Sequence, residues 1–412
     1  MGLIRAQWIL DDDHGPVADG AVRVEAGRVV QVVSGAASIR RLANAMGEEP
    51  LDLGPGVLCP GLVNAHAHLE LTALGGRLSG EDPFASWVGN LLRERARCTR
   101  GELERGVLQG SRQLLASGAT ALGEITSLGI SPSWAAASPT AVRLYHECLD
   151  AGDGNRTQGA FEAVREQMAC TQLPSSLSPH APFSVSPGLF ARLGQLAREQ
   201  HLPVTIHWAE SVEEQEYLLG GGGPLAESLG PSPLRAGLDL IEEAGLLGPR
   251  TALVHGNLPA PGEPERLAAT GTSLVHCPGT HRFFGRDPFP LEEYRRAGVN
   301  LALGTDSLAS NTALDMRREM ALLRQAQPGL APAEVWLMAT RGGARALDLQ
   351  GQVGCLTPGA RADLVLFGTE SDQADSILDE LTAACPPVSR LFLAGRSQEP
   401  LPPCDISTGP LA

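Results

Sequence analysis

His66-Ala67-His68 closes the apolar run VLCPGLVNAHAH. Successive residues of a β-strand face opposite ways, so an i, i+2 pair presents two imidazoles on one face, where a divalent cation can accept both nitrogens. Alone the pair is a weak signal in a chain with ten histidines. His207 and Glu210, in TIHWAES, stand three apart where a strand gives way to a turn. They offer a third imidazole and a carboxylate able to move a proton from activated water to a leaving nitrogen. The competing reading is a core histidine beside a helix N-terminus built by Ser211 and Glu214. Asp306, in LGTDSLASN, is a carboxylate ligand or else a helix N-cap. His255, in LVHGN, is placed to hold the attacking water and polarise the electrophile, against the alternative of a satisfied core histidine. Together these residues describe a metal site of His66, His68, His207 and Asp306, with Glu210, His255 and Asp306 as the catalytic candidates.

The elements that must position these groups have a clear rhythm. Eight short apolar runs each end in polar residues: VLCPGLVNAHAH, ATALGEITS, AVRLYHECLD, SSLSPHAPF, PVTIHWAES, TALVHGN, TSLVHCPGT and NLALGTDS. Amphipathic segments such as GLFARLGQLAREQ, GLDLIEEAGLL and LDMRREMALLRQAQ lie between them with apolar spacing near 3.6. The alternation predicts a parallel (β/α)8 TIM barrel over 58–354, whose active site lies at the C-terminal ends of the strands. Those ends carry His66, His68, Glu124, His146, His180, His207, Glu210, His255, His276 and Asp306; of the histidines only His14, His201 and His281 fall elsewhere. Histidines distributed for packing would not gather at one rim. His276, before Cys277-Pro278, reads equally as hydrogen-bonding support and as structure. Residues 1–57 and 355–412 alternate short strands with turns, and neither end closes a core alone. They are expected to pair into one small β-sandwich domain with the barrel inserted, ending in a frayed Pro-rich tail, LPPCDISTGPLA.

Composition narrows the chemistry. All 32 basic residues are arginine. A Schiff-base lysine, a Walker lysine and a metal pair bridged by carboxylated lysine are therefore excluded, which favours a mononuclear site with one position open for water. Zinc is the default for this donor set, with Fe2+ or Mn2+ compatible. The net charge of −15 carries no basic block, which argues against nucleic acid or an anionic membrane as partner. No apolar run reaches the ~18 residues of a membrane span, and the start MGLIRAQWILDDDHG does not read as a signal peptide. Eight dispersed cysteines without a CxxC pair read as reduced thiols of a cytoplasmic protein.

With these residues in place, the chain resembles the amidohydrolase superfamily, and specifically its deaminase branch. PGLVNAHAHLE, SPHAPFSVS, HWAESVEEQEYL, LVHGN, HCPGTHRFF and LGTDSLASN occur in the family's order, and TPGARADLVLF is similar to its closing strand. The resemblance implies metal ligation by His66, His68, His207 and Asp306, proton transfer by Glu210, and orientation of the attacking oxygen by His255. It implies substrate contact by His180 and by Trp87 of PFASW, and His281 is a further candidate for holding a small-molecule substrate. The run Glu210–Leu218 is most similar to aminofutalosine deaminases, with S-adenosylhomocysteine and methylthioadenosine deaminases as neighbours. The family's ribose-binding glutamate falls near Ala96, with Glu94 close by, and Pro278-Gly279-Thr280-His281 replaces its usual Asn after the seventh strand. The implied activity is hydrolytic deamination of an adenosine derivative with release of ammonia, in a barrel that often forms a homodimer. Expulsion of chloride or another C–N leaving group, and a non-catalytic barrel, are the alternatives.

Overall fold

The computed structural model describes residues 2–11 and 15–399. His14, Cys404 and the Pro-rich tail lie outside them. Eight parallel strands form the central sheet: β1 (Leu62–Ala67), β2 (Ala119–Thr126), β3 (Ala141–Cys148), β4 (Ser176–Pro179), β5 (Val204–Trp208), β6 (Thr251–His255), β7 (Ser273–His276) and β8 (Asn300–Leu303). Each pairs with the next in sequence order. Beyond β8, a parallel bridge between Ala67 and Asp306 brings the last strand round to the first. Thr305 and Asp306 both donate their N–H to the His66 carbonyl at 3.1 Å. Gly304 permits this approach, because a Cβ there would lie 2.9 Å from the His66 oxygen. The TIM barrel expected from the strand–helix rhythm is thus the observed fold.

The strands hold this order because helices cover them on the outside. In the helix Pro187–Gln200, Ser186 accepts from the Leu189 N–H and Pro187 starts the first turn. Leu189, Phe190, Leu193, Leu196 and Ala197 form its buried face, and His201 ends it in a left-handed conformation (φ 53°). A short helix, Ser131–Ala137, occupies the Pro-rich connection after β2.

Both ends of the chain build the second sheet. Its strands run in the order Arg396–Ser397, Val388–Leu393, Leu364–Phe367, Val57–Pro60, Leu3–Asp11, Gly15–Glu25, Arg28–Ser34, with Leu51–Asp52 also pairing to Leu3–Asp11. Val57–Pro60 is antiparallel to Leu364–Phe367, so the segment leading into β1 is held by the far end of the chain. Val57, Cys59, Val365 and Phe367 join the same apolar core as the barrel's Leu62 and Trp336. Two helices interrupt this sheet where the sequence reads as strands and turns, Ala36–Met46 and Ala374–Ala383. In the first, Ile39 and Ala43 lie one turn apart on the buried face and Gly47 (φ 66°) stops the helix. No two of the described cysteines are joined by a disulfide. No described helix is long and apolar enough to cross a membrane.

Candidate metal centre and proton-transfer site

Strand β1 carries His66 and His68 follows directly on its end, β5 adds His207, and the turn after β8 adds Asp306. The Nε2 atom of His207 lies 3.2 Å from His66 Nε2 and 3.3 Å from His68 Nε2. The Oδ1 atom of Asp306 is 3.7 Å from both His66 Nε2 and His68 Nε2. A tetrahedral ion with bonds of ~2.0–2.1 Å separates its donors by about 3.3–3.4 Å, so the spacing suits a cation. The chemistry of the donors agrees. His207 donates Nδ1–H to the His180 carbonyl at 2.9 Å, which leaves Nε2 as a lone pair facing the other two rings. Burial, followed by the charge of neighbouring imidazoles, pushes the His207 pKa well down, and burial leads in bringing His68 to about 4. Neutral imidazoles converging on one point repel unless a cation lies between them. Three nitrogens and one carboxylate oxygen therefore fit zinc, and equally Fe2+ or Mn2+.

Asp306 has φ 56°, unusual for a residue with a side chain. Ser310 Oγ donates to its Oδ2 at 3.0 Å. Asn64 fixes the preceding residue, donating to Thr305 Oγ1 at 2.7 Å and accepting from the Thr305 N–H at 3.2 Å. Against the upward push of burial, its contact with His66 and the charge of the nearby imidazoles hold the Asp306 carboxyl well below its usual range.

Glu210, 8% exposed, stands beside this cluster. Its Oε2 lies 3.7 Å from His255 Nε2, and its Oε1 accepts from Arg286 Nη2 at 2.9 Å. Its backbone is fixed at both ends: the N–H donates to Glu214 Oε2 at 2.8 Å, and the carbonyl accepts from Asn257 Nδ2 at 3.0 Å. Burial raises the Glu210 carboxyl to about 8, with Arg286 pulling the other way. His255, at φ 75°, stacks near His207 with ring centroids 5.5 Å apart, and burial lowers its pKa to about 3. The arrangement combines a cation-shaped donor set with a carboxyl able to take and return a proton near neutral pH.

The other sequence candidates divide by position. His180 follows β4, lies 4.9 Å from His207 by ring centroid, and pairs its Nδ1 with Ser184 Oγ at 2.6 Å. Trp87 reaches the site through rings, Trp87 to Phe84 (6.0 Å), Phe84 to Phe183 (6.3 Å) and Phe183 to His180 (5.7 Å). His281 contacts Asn257 Oδ1 at 3.1 Å, behind the Glu210 backbone. Three rim residues stay outside the donor cluster. His276 stacks on Phe289 at 3.8 Å, Glu124 accepts from Leu69 N–H and Ser131 Oγ, and buried His146 has no hydrogen-bond partner on either ring nitrogen. Glu94, the carboxylate close to Ala96, pairs with Arg97.

Sequence reasoning missed three polar residues of this site: Arg286, Asn257 and Glu147. Glu147 accepts from Ser127 Oγ, and its buried Oε1 has no partner. Its place next to His146 at the polar end of β3, in AVRLYHECLD, was the available signal; folding then sets it beside His180. A cavity of about 740 Å³ lined by Glu292, Arg295 and Asn300 borders the start of β8, at the barrel end opposite the histidines. Cavity size does not locate the chemistry here.

The sequence model for the amidohydrolase family matches residues 57–396. A 5-methylthioadenosine/S-adenosylhomocysteine deaminase of Nitratidesulfovibrio vulgaris (strain DP4) is 31% identical over 94% of this chain and 86% of that relative. An aminodeoxyfutalosine deaminase of Deinococcus radiodurans is 32% identical over 70% of this chain and 73% of that relative. The solved structure of an adenosine deaminase from Xanthomonas campestris with bound zinc superposes with a TM-score of 0.81 at 25% identity, covering 98% of this chain and 95% of that one.

Proposed function

This chain belongs to the amidohydrolase family, and from that premise we propose that it is a metal-dependent deaminase of an adenosine derivative. As a member it is a hydrolase of non-peptide carbon–nitrogen bonds. His66, His68, His207 and Asp306 would hold one divalent ion, most simply zinc. Such an ion, when bound, lowers the pKa of water to ~7 and so supplies a nucleophile at neutral pH.

The chain's own residues account for the remaining steps. Glu210 accepts a proton from the attacking water on Oε2, the oxygen facing His255. Water's oxygen bonds to the ring carbon carrying the amine. His255, neutral through burial, donates a hydrogen bond to that oxygen and fixes its direction. Glu210 then returns the proton to the amine nitrogen, the carbon–nitrogen bond breaks and ammonia leaves; the hydroxyl proton passes to the adjacent ring nitrogen, and a ring carbonyl remains. A carboxyl near pKa 8 serves both halves of this transfer, which an ordinary glutamate would do poorly at neutral pH. His180, Trp87 and His281 are proposed to hold the rest of the substrate.

The observation that carries this reading is the convergence of His66 Nε2 and His68 Nε2 on His207 Nε2, at 3.2 and 3.3 Å, with the Glu210 carboxyl beside His255. The adenosine class is supported by the relatives' names, which specify methylthioadenosine, S-adenosylhomocysteine and aminodeoxyfutalosine. The test is ammonia release by metal-loaded protein from a panel of 5′-substituted adenosines, with other amino-heterocycles alongside. Turnover of at least one adenosine derivative is expected. Failure on every amino-heterocycle would remove the deaminase assignment.

A further inference from the structure

The loop after β7 sends one cation into the site. Arg286 Nη2 donates to Glu210 Oε1 at 2.9 Å, and the side chain is only 14% exposed. Its guanidinium carbon lies 4.7 Å from the Phe284 ring centre and 5.5 Å from that of Phe84, so aromatic faces fix the plane of the fork. A planar donor seated in this way sets direction as well as charge. With Oε1 occupied, Oε2 is the oxygen left facing His255.

We propose that Arg286 is the positioning residue for Glu210: it holds Oε1 so that Oε2 alone faces the space where the proton moves. The proposal rests on the deaminase reading for its consequence in catalysis, but the contact itself does not. The charged and titratable groups around Glu210 are Arg286 from the β7 loop, His255 from β6, Asp306 from the β8 turn and Glu214 from the helix that follows it. Only Arg286 among them carries a fixed positive charge.

The experiment compares Arg286→Met and Arg286→Lys with wild type as metal-loaded full-length chains. Metal per chain, kcat and KM across pH, and the Glu210 carboxyl resonance in 13C-glutamate-labelled protein are measured; Glu210→Gln identifies that resonance. Arg286→Met should keep its metal and lose about a hundredfold in kcat with little change in KM. Its acidic limb of kcat/KM and the Glu210 titration should both move to higher pH. Arg286→Lys should return the limb toward wild type while recovering part of kcat. A wild-type kcat and limb in Arg286→Met, or equal loss of metal in both variants, would overturn the proposal. Should wild type itself turn over nothing, the deaminase reading falls, and the carboxyl titration still decides: an upward move in Arg286→Met supports the contact's role, and an unmoved titration overturns it.

Discussion

His207 does two things at once: its Nδ1–H is spent on the His180 carbonyl and its Nε2 faces His66 and His68. Such a residue is legible in a sequence because few groups combine a lone pair with a donor, and its spacing to Glu210 narrows the chemistry further. Arg286 is illegible for the opposite reason. It is one of 32 basic residues, all arginine, and only folding brings it to Glu210, 76 positions away. Replacing Glu210 by Gln should cut ammonia release by about 10²–10⁴-fold while leaving metal content unchanged. The pH dependence has a definite sign. Glu210 acts first as a base and is raised to about 8, so kcat/KM should climb with pH through that region. His255, lowered to about 3, stays neutral throughout and should add no limb. A pH profile flat from 6 to 9 would contradict this account of Glu210.

At the scale of elements, eight strands were readable because each is a short apolar run ending in polar rim residues, and the helices between them repeat near 3.6. The helices Ala36–Met46 and Ala374–Ala383 were not readable, since each lies among genuine strands of the terminal sheet and its apolar stripe is short. The seam between β8 and β1 is equally hidden: it depends on Gly304 passing the His66 carbonyl. Gly304→Ala should push the Asp306 turn away from His66. The expected result is weaker metal retention on dialysis against chelator and a lower melting temperature. A variant with wild-type metal retention would show that the ligand set does not depend on this seam.

The whole molecule ties both ends of the chain to one barrel. Val57–Pro60 and Leu364–Phe367 pair directly before β1 begins, so the strand that bears His66 and leads to His68 is anchored by segments some 300 positions apart. A cation bound only by the folded state adds stability by mass action, about 2.7 kcal/mol at a hundred times its dissociation constant. Chelation should therefore lower the melting temperature of wild type and leave His207→Ala nearly unchanged; an equal response in both would place the stabilising ion elsewhere. The most direct test is an anomalous difference map from metal-loaded crystals, recorded at the edge of the metal found in the protein. One peak is expected about 2.0–2.1 Å from the Nε2 atoms of His66, His68 and His207, with Asp306 closing the set. A strongest peak away from these three nitrogens, or none in fully loaded protein, would contradict the account.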